Sequence, residues 1–455
     1  MKTLLKTTAL ASLLLGSSAV LAAEGNGGTT TAATTTSPVA GRWDAVLSRG
    51  GVDIPFRLDI KGQGNALQGV FYDGFQPYDG TTSATFENGK LTLNVEHYLT
   101  TISADLKDGT LTGTAIAQNR ESTAPYTFRA VRHVEAPAPA VNAPSIAGTW
   151  IIPLAEPSSK GEKAFRFVAQ QRGGEVAGAI LRIDGDTGSY TGNFKDGKWT
   201  LSHFDGGRPG VIVVTPTAQG TLEIQQQVSR PAKATASEYG NDATPDGRYA
   251  PTLTAYRKDV AKAKGLPEPD DFLTHTTVND PNEVFKFSFP DANGKLVSNE
   301  DPDFKGKVIV AVVTGTWCPN CHDEAQYLVK LDKKYRAQGL RIVALNFEEP
   351  EQQETLKRQK AFIKQYGVEY PYLLAGSPAQ MWEKVPQLNH LDTWPATVFI
   401  GRDGKVKAVH SGFASPASGE FHTQLEADFT SRIEKLLAEK PVVAATAPSV
   451  QIAQK

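Results

Sequence analysis

The chain has 455 residues, with Lys plus Arg 47 against Asp plus Glu 49 and a formal net charge of −2. That balance excludes the strongly basic footprint of a nucleic-acid or anionic-membrane binder. A composition 40% hydrophobic and 21% charged excludes a chain disordered throughout, and at about 150 residues per domain the length suits roughly three domains.

Residues 1–23 read as a signal peptide. Lys2 and Lys6 precede an uncharged apolar run from Thr7 to Leu21, and Val20-Leu21-Ala22-Ala23 offers small residues for cleavage. The run is too short for a membrane span, and no cysteine lies near the cleavage site for a lipid anchor. The sequence therefore predicts an exported, periplasmic, soluble protein with no transmembrane segment after signal removal. Residues 24–38, rich in Thr, Gly and Ala, follow as a disordered linker.

Two β-rich modules come next, over 39–133 and 145–258, joined by a Pro/Ala linker at 134–144 (VEAPAPAVNAP). Their landmarks recur in the same order: Val39-Ala-Gly-Arg-Trp43 and Ile146-Ala-Gly-Thr-Trp150, then Phe56-Arg57 and Phe165-Arg166. Asn88-Gly-Lys-Leu-Thr-Leu93 is matched by Asp196-Gly-Lys-Trp-Thr-Leu201. A constant order at near-constant offset reads as a duplication. Short alternating segments such as Lys90–Val95, punctuated by Asn-Gly and Asp-Gly, predict antiparallel β-structure, a small barrel or sandwich. Trp43 and Trp150, at equivalent starts, read as plugs of each module rather than as ligand-stacking aromatics.

A connector over 259–283 leads to an α/β segment at 284–440, and an Ala/Val/Pro-rich, disordered tail fills 441–455. A hairpin near Phe285–Val297 precedes Val308–Val313, an apolar β-branched run of the buried parallel-strand type. Cys318 to Gln338 has helical spacing and stops at Gly339. Leu340–Leu345 is a second buried strand, and Glu351–Tyr366 a charged helix. Ala396–Ile400 and Lys405–Val409 form a closing hairpin, and Phe421–Glu439 a last amphipathic helix. Strands alternating with helices imply a mixed α/β sheet.

The chain's two cysteines, Cys318 and Cys321, stand in Trp317-Cys318-Pro319-Asn320-Cys321 between the end of a strand and the start of a helix. Unpaired N–H groups and the positive end of the helix dipole favour thiolate there. Cys318 is then the nucleophile toward a substrate disulfide and Cys321 the resolving thiol. Pro319 suits the first helical turn, where no N–H is needed.

This segment resembles the TlpA/ResA-like thiol–disulfide oxidoreductases of the thioredoxin superfamily, on W-C-P-N-C at 317–321, Thr393-Trp-Pro-Ala-Thr397 and Gly401-Arg-Asp-Gly-Lys405. The resemblance implies a thioredoxin-like domain with a cis peptide before Pro395, facing the cysteines and leaving the Trp394 backbone to pair with an extended substrate. It also implies an enzyme reducing disulfides of exported proteins, with electrons from a membrane thiol donor and no cofactor. Thioredoxin's buried Asp is replaced by Val312, and the resemblance points to Glu349, with Glu348 its nearest competitor, as proton acceptor for Cys321. The alternative for the pair is that they cap the next helix.

Two rival readings arise. Cys318-Pro-Asn-Cys321-His322 is also the CxxCH of c-type haem attachment, with Met381 available as distal ligand. The preceding strand and the Pro395 hairpin argue against haem, and His322 reads instead as a first-turn residue that, if charged, favours the Cys318 thiolate. Alternatively the protein is mainly a cell-envelope binding or adaptor protein acting through its β-modules. A metal site is not expected, because no second Cys/His pair has useful spacing, and Gly315 stands where a peroxiredoxin carries Thr or Ser.

Overall fold

Alternation decides the N-terminal architecture. In Lys90–Val95 the side chains of Leu91, Leu93 and Val95 are fully buried while those between them reach outward, so one face of each strand must find a closed interior. The computed structural model describes residues 36–64, 66–117, 125–135, 142–227 and 252–440. The predicted signal peptide, most of the 24–38 linker, part of the Pro/Ala linker and the predicted tail lie outside them.

The first module is a closed antiparallel barrel of eight strands. Around it run Val52–Gln63, Gly41–Arg49, Tyr126–Arg132, Thr110–Ala117, Thr100–Lys107, Lys90–Val95, Ser83–Glu87 and Ala66–Asp73, which pairs back onto Val52–Gln63. The second barrel has the corresponding order: Ala164–Arg172, Gly148–Pro153, Leu253–Arg257, Leu222–Gln227, Gly210–Pro216, Lys198–His203, Tyr190–Lys195 and Glu175–Arg182, closing on Ala164–Arg172. Closure removes the free sheet edges that a sandwich would leave. In each, a short extra strand (Gln76–Gly80; Gly185–Asp186) hangs from the wall beyond the ring.

Both barrels are sealed in the same way. Trp43 and Trp150 are buried, and their indole N–H groups donate to Val39 O at 2.8 Å and Ile146 O at 2.9 Å. A guanidinium lies over each ring, Arg132 at 4.1 Å and Arg257 at 3.9 Å. Each arginine also ties down the incoming chain, Arg132 to Ala40 O at 2.6 Å and Arg257 to Ser145 O at 3.1 Å. Gly41, at φ 121°, passes so close beneath Arg132 that a Cβ would stand 2.7 Å from its Nη1.

The C-terminal domain is a five-stranded sheet in the order Tyr372–Gly376, Leu340–Phe347, Val308–Thr314, Ala396–Ile400, Val406–Ser411. The first three are parallel and the last two antiparallel to their neighbours. Val308–Thr314, buried at every residue, is central because both its faces are covered. Val308, Val310 and Val312 pack with Leu328, Phe362, Phe429 and Ile433 of three helices, and Ile309, Ala311 and Val313 with Phe285, Phe287 and Met381 on the other side.

Several elements differ from the sequence expectations. The charged helix is broken: Leu356 turns into left-handed backbone at φ 50° and is buried, separating Pro350–Gln353 from Lys357–Tyr366. The edge strand Tyr372–Gly376 was not anticipated. The leading hairpin shrinks to Ser288–Pro290 and Leu296–Ser298. The connector is folded, with the helix Lys258–Ala263 and a strand, Thr277–Val278, pairing with Leu388–Asn389.

Truncating a sealed tryptophan opens a large cavity. Trp150→Ala is expected to cost about 3–5 kcal/mol, whereas Arg257→Met, losing a cation–π contact, costs about 1 kcal/mol. Urea unfolding followed by tryptophan fluorescence reads both.

Candidate active site

The strand Val308–Thr314 delivers the chain through Gly315, Thr316 and Trp317 to the helix Pro319–Tyr335. Cys318 is its N-cap: in extended backbone, its sulfur accepts the Cys321 amide N–H at 3.3 Å. A side chain of this kind normally supplies an oxygen to an orphan amide of the first turn; here a sulfur does so. Pro319 occupies the first turn, where its missing N–H is not needed. Cys321, one turn in, is buried, and that burial, reinforced by the neighbouring Cys318 sulfur, pushes its thiol pKa well up. Both cysteines are free thiols.

The peptide Trp394–Pro395 is cis, and the Cys318 thiol donates to the Trp394 carbonyl at 3.4 Å. Trp317 lies edge-on to Trp394, ring centres 5.1 Å apart, with its indole N–H on Phe347 O at 2.9 Å. The structure thus gathers Trp317, Cys318, Pro319, Cys321, Trp394 and Pro395. Asn320 turns to the second barrel, its amide donating to Asp184 O at 3.2 Å.

Glu349 and Glu348 are engaged elsewhere. The Arg358 guanidinium bonds Glu349 Oε2 at 2.6 Å and also Glu348, whose carboxylate takes the Thr316 hydroxyl as well. A buried carboxyl on the helix itself, Glu324, was missed by the sequence reasoning: burial pushes its pKa up to about 8 and favours the neutral form. It stands three residues after Cys321, on the same helix face, and receives the hydroxyl of Thr397. Thr397 is the cross-strand partner of Val312, so a carboxyl reaches from the helix toward the place where Val312 offers none. A signal was present. Glu324 interrupts the apolar stripe made by Cys321, Leu328, Leu331 and Tyr335, where a solvated Glu has no business.

His322 corrects two expectations. It is fully buried and stacked on Tyr98 of the first barrel, centroids 4.2 Å apart at 17°. Its Nε2 lies 2.7 Å from Thr316 O and its Nδ1 2.9 Å from the Tyr366 hydroxyl. Burial drives its pKa well down, so it is neutral and adds no charge beside Cys318. With both ring nitrogens engaged, neither is left for haem iron, and Met381 is packed in the core with Val385 and Leu388.

Both barrels grip the active-site helix. Arg208 of the second barrel, with Asp205 at 2.7 Å, bonds Asp323 at 3.0 Å. Tyr78 of the first barrel donates to the same Asp323 and accepts from Gln326 at 2.8 Å. None of these long-range partners was foreseen. Among the described residues no helix is long and apolar enough to cross a membrane.

A strand–Cys-x-x-Cys–helix unit facing a cis-proline on a mixed sheet defines a thioredoxin-like domain. The family described as Redoxin matches residues 277–425. The thiol-disulfide oxidoreductase ResA of Bacillus subtilis is 30% identical over 141 residues, covering 31% of this chain and 72% of that protein. ResA of Bacillus thuringiensis subsp. konkukian is 32% identical over 126 residues, and there the match spans 65% of the relative's length and 27% of this chain. A thioredoxin-family thiol:disulfide interchange protein structure from Chlorobium tepidum aligns at 23% identity and TM-score 0.28, over 35% of this chain and 99% of its own. Through its C-terminal third the chain belongs to the ResA family of thiol-disulfide oxidoreductases.

Glu324 makes stability depend on pH. With its folded pKa raised from 4.5 to about 8, the folded state holds a proton that the unfolded chain has released. Glu324's contribution to stability is therefore greatest below pH 4.5 and is lost as pH rises toward 8. Glu324→Gln is expected to flatten that fall in the urea midpoint measured across the window. Breaking the buried pair by Arg208→Met leaves Asp323 uncompensated and is expected to cost about 3–5 kcal/mol, read by the same titration.

Proposed function

We propose that this chain is an exported thiol–disulfide oxidoreductase whose Cys318/Cys321 pair reduces disulfides in other exported proteins. The observation that carries this reading is the Cys318 sulfur, which caps a helix, meets the Cys321 amide at 3.3 Å and touches the backbone beside cis-Pro395 at 3.4 Å. A nucleophile and its resolving partner lie within one helical turn, and an edge for an extended substrate faces them from the loop before Ala396–Ile400.

The chemistry follows in two exchanges. The Cys318 thiolate attacks one sulfur of the substrate disulfide, the substrate S–S bond breaks, and the departing sulfur leaves as thiolate and takes up a proton. Cys321, whose buried thiol holds its proton tightly, must lose it before the second exchange. Glu324, one turn away with a pKa of about 8, accepts it in the fraction of molecules whose carboxyl is ionised, a fraction that grows as pH rises toward 8. The Cys321 thiolate then attacks Cys318, the Cys318–Cys321 disulfide forms, and the second substrate thiol departs. A membrane thiol donor would return the pair to dithiol. The common strand order and common Trp–Arg seal of the barrels support their descent from one duplicated module.

Cys318→Ser should abolish disulfide reduction, and Cys321→Ser should accumulate mixed disulfides visible on non-reducing gels. A Cys318→Ser protein that still turns over substrate would overturn the reading. A two-electron potential near about −270 mV, followed by Trp317 fluorescence, would support a reductant; one toward about −120 mV would make it an oxidant.

A further inference from the structure

An extended substrate needs backbone partners beside Pro395, and in the structure they are taken. The Trp394 N–H donates to Asp184 Oδ1 at 3.1 Å, and the Trp394 carbonyl accepts the Cys318 thiol. Asp184 belongs to the second barrel, at the tip joining Glu175–Arg182 to Gly185–Asp186. Its own carbonyl accepts from Asn320 on one bank of Cys318 and from Phe413 N, at 3.0 Å, beyond the other. Gly185 continues the pairing in a parallel bridge with Phe413. Lys160 clamps the arrangement by bonding both the Asp184 carboxylate and Asp392 O, the latter at 2.6 Å. One residue ties the start of the active-site helix to the cis-proline loop, and Cys318 between them is only 4% exposed.

We propose that Asp184 and the Ile183–Gly185 tip are an internal competitor for the substrate groove, occupying with the Asp184 carboxylate the Trp394 N–H that an extended disulfide-bearing polypeptide would bind, so that a substrate reaches Cys318 only by displacing the tip. Asp184 is thereby a specificity-determining residue: it discriminates against chains that cannot displace it. The inference rests on the oxidoreductase reading. An internal competitor lowers apparent affinity by the fraction of molecules in which the groove is open and leaves the chemical step unchanged.

Two variants release the tip by different means. Asp184→Ala removes the acceptor for Trp394 N–H. Gly185→Ala leaves every charge in place but sets a Cβ 2.2 Å from Phe413 O, at a backbone φ of +125°. Asp184→Asn retains an oxygen for Trp394 and serves as the conservative control. In the full-length protein, with a disulfide-bonded peptide as substrate, both releasing variants should lower KM by about tenfold at unchanged kcat, and Asp184→Asn should stay near wild type. Alkylation of Cys318 by iodoacetamide, which needs no redox chemistry, should accelerate by a similar factor at its high-pH plateau, where charge effects on the thiol no longer count. Unchanged KM and unchanged alkylation plateau in a releasing variant with wild-type near-ultraviolet circular dichroism would overturn the proposal. If neither wild type nor variants exchange with glutathione disulfide, the oxidoreductase reading fails instead, and the alkylation rates still decide whether the tip covers Cys318.

Discussion

Arg208 cannot be buried alone. Its guanidinium lies in the protein interior against the carboxylates of Asp205 and Asp323, and a charge removed from water without partners is unfavourable by several kcal/mol. Asp205 comes from its own barrel, but Asp323 sits in the first turns of the helix that begins at Cys318, and Tyr78 from the other barrel binds the same carboxylate. Three modules must therefore remain in register for this charge to be satisfied. Movement of the redox helix away from either barrel would strand an ion or a hydroxyl, and so the surroundings of the cysteines are as much a product of the barrels as of the sheet.

That constraint explains the chemistry's dry setting. His322 is pressed against Tyr98 and Phe362, Cys321 is enclosed, and Glu324 is kept neutral by the apolar layer that packs Leu328 and Phe429. The proton affinities of Cys321, His322 and Glu324 are governed by desolvation more than by nearby charge, the reverse of the electropositive environment expected from a charged His322.

Much of this was legible from local pattern. The β-branched run Val308–Val313, the cysteines at a helix start and Pro395 ahead of Ala396–Ile400 are features in which neighbours along the chain are neighbours in space, and the period-two segments of the barrels likewise announce their faces. The carboxyl proposed to accept the proton was harder to read, because counting along the strand favours Glu348 and Glu349, whereas their partner Arg358 lies on a helix behind them. Glu324 was readable only as a polar break in an apolar helical stripe. Arg208, Tyr78 and Asp184 carried no readable signal: Arg208 stands in a Gly-rich turn that reads as surface, and its value arises from residues more than a hundred positions away.

The sealing of the barrels has a consequence for how the molecule is made. In each, the first strand pairs with the last, Trp43 opposite Arg132 and Trp150 opposite Arg257, so the arginine locks join residues 92 and 110 positions apart. Such long-range closure is slow compared with local helix formation, and neither ring can shut before its final strand has emerged. Synthesis from the N-terminus gives the barrels a head start, and the cysteines follow only after both closing strands. The cysteines thus emerge after every strand of both barrels but before Trp394 and Phe413, so the Asp184 tip is made ahead of Cys318 whereas the loops it bonds on the far side are made after it.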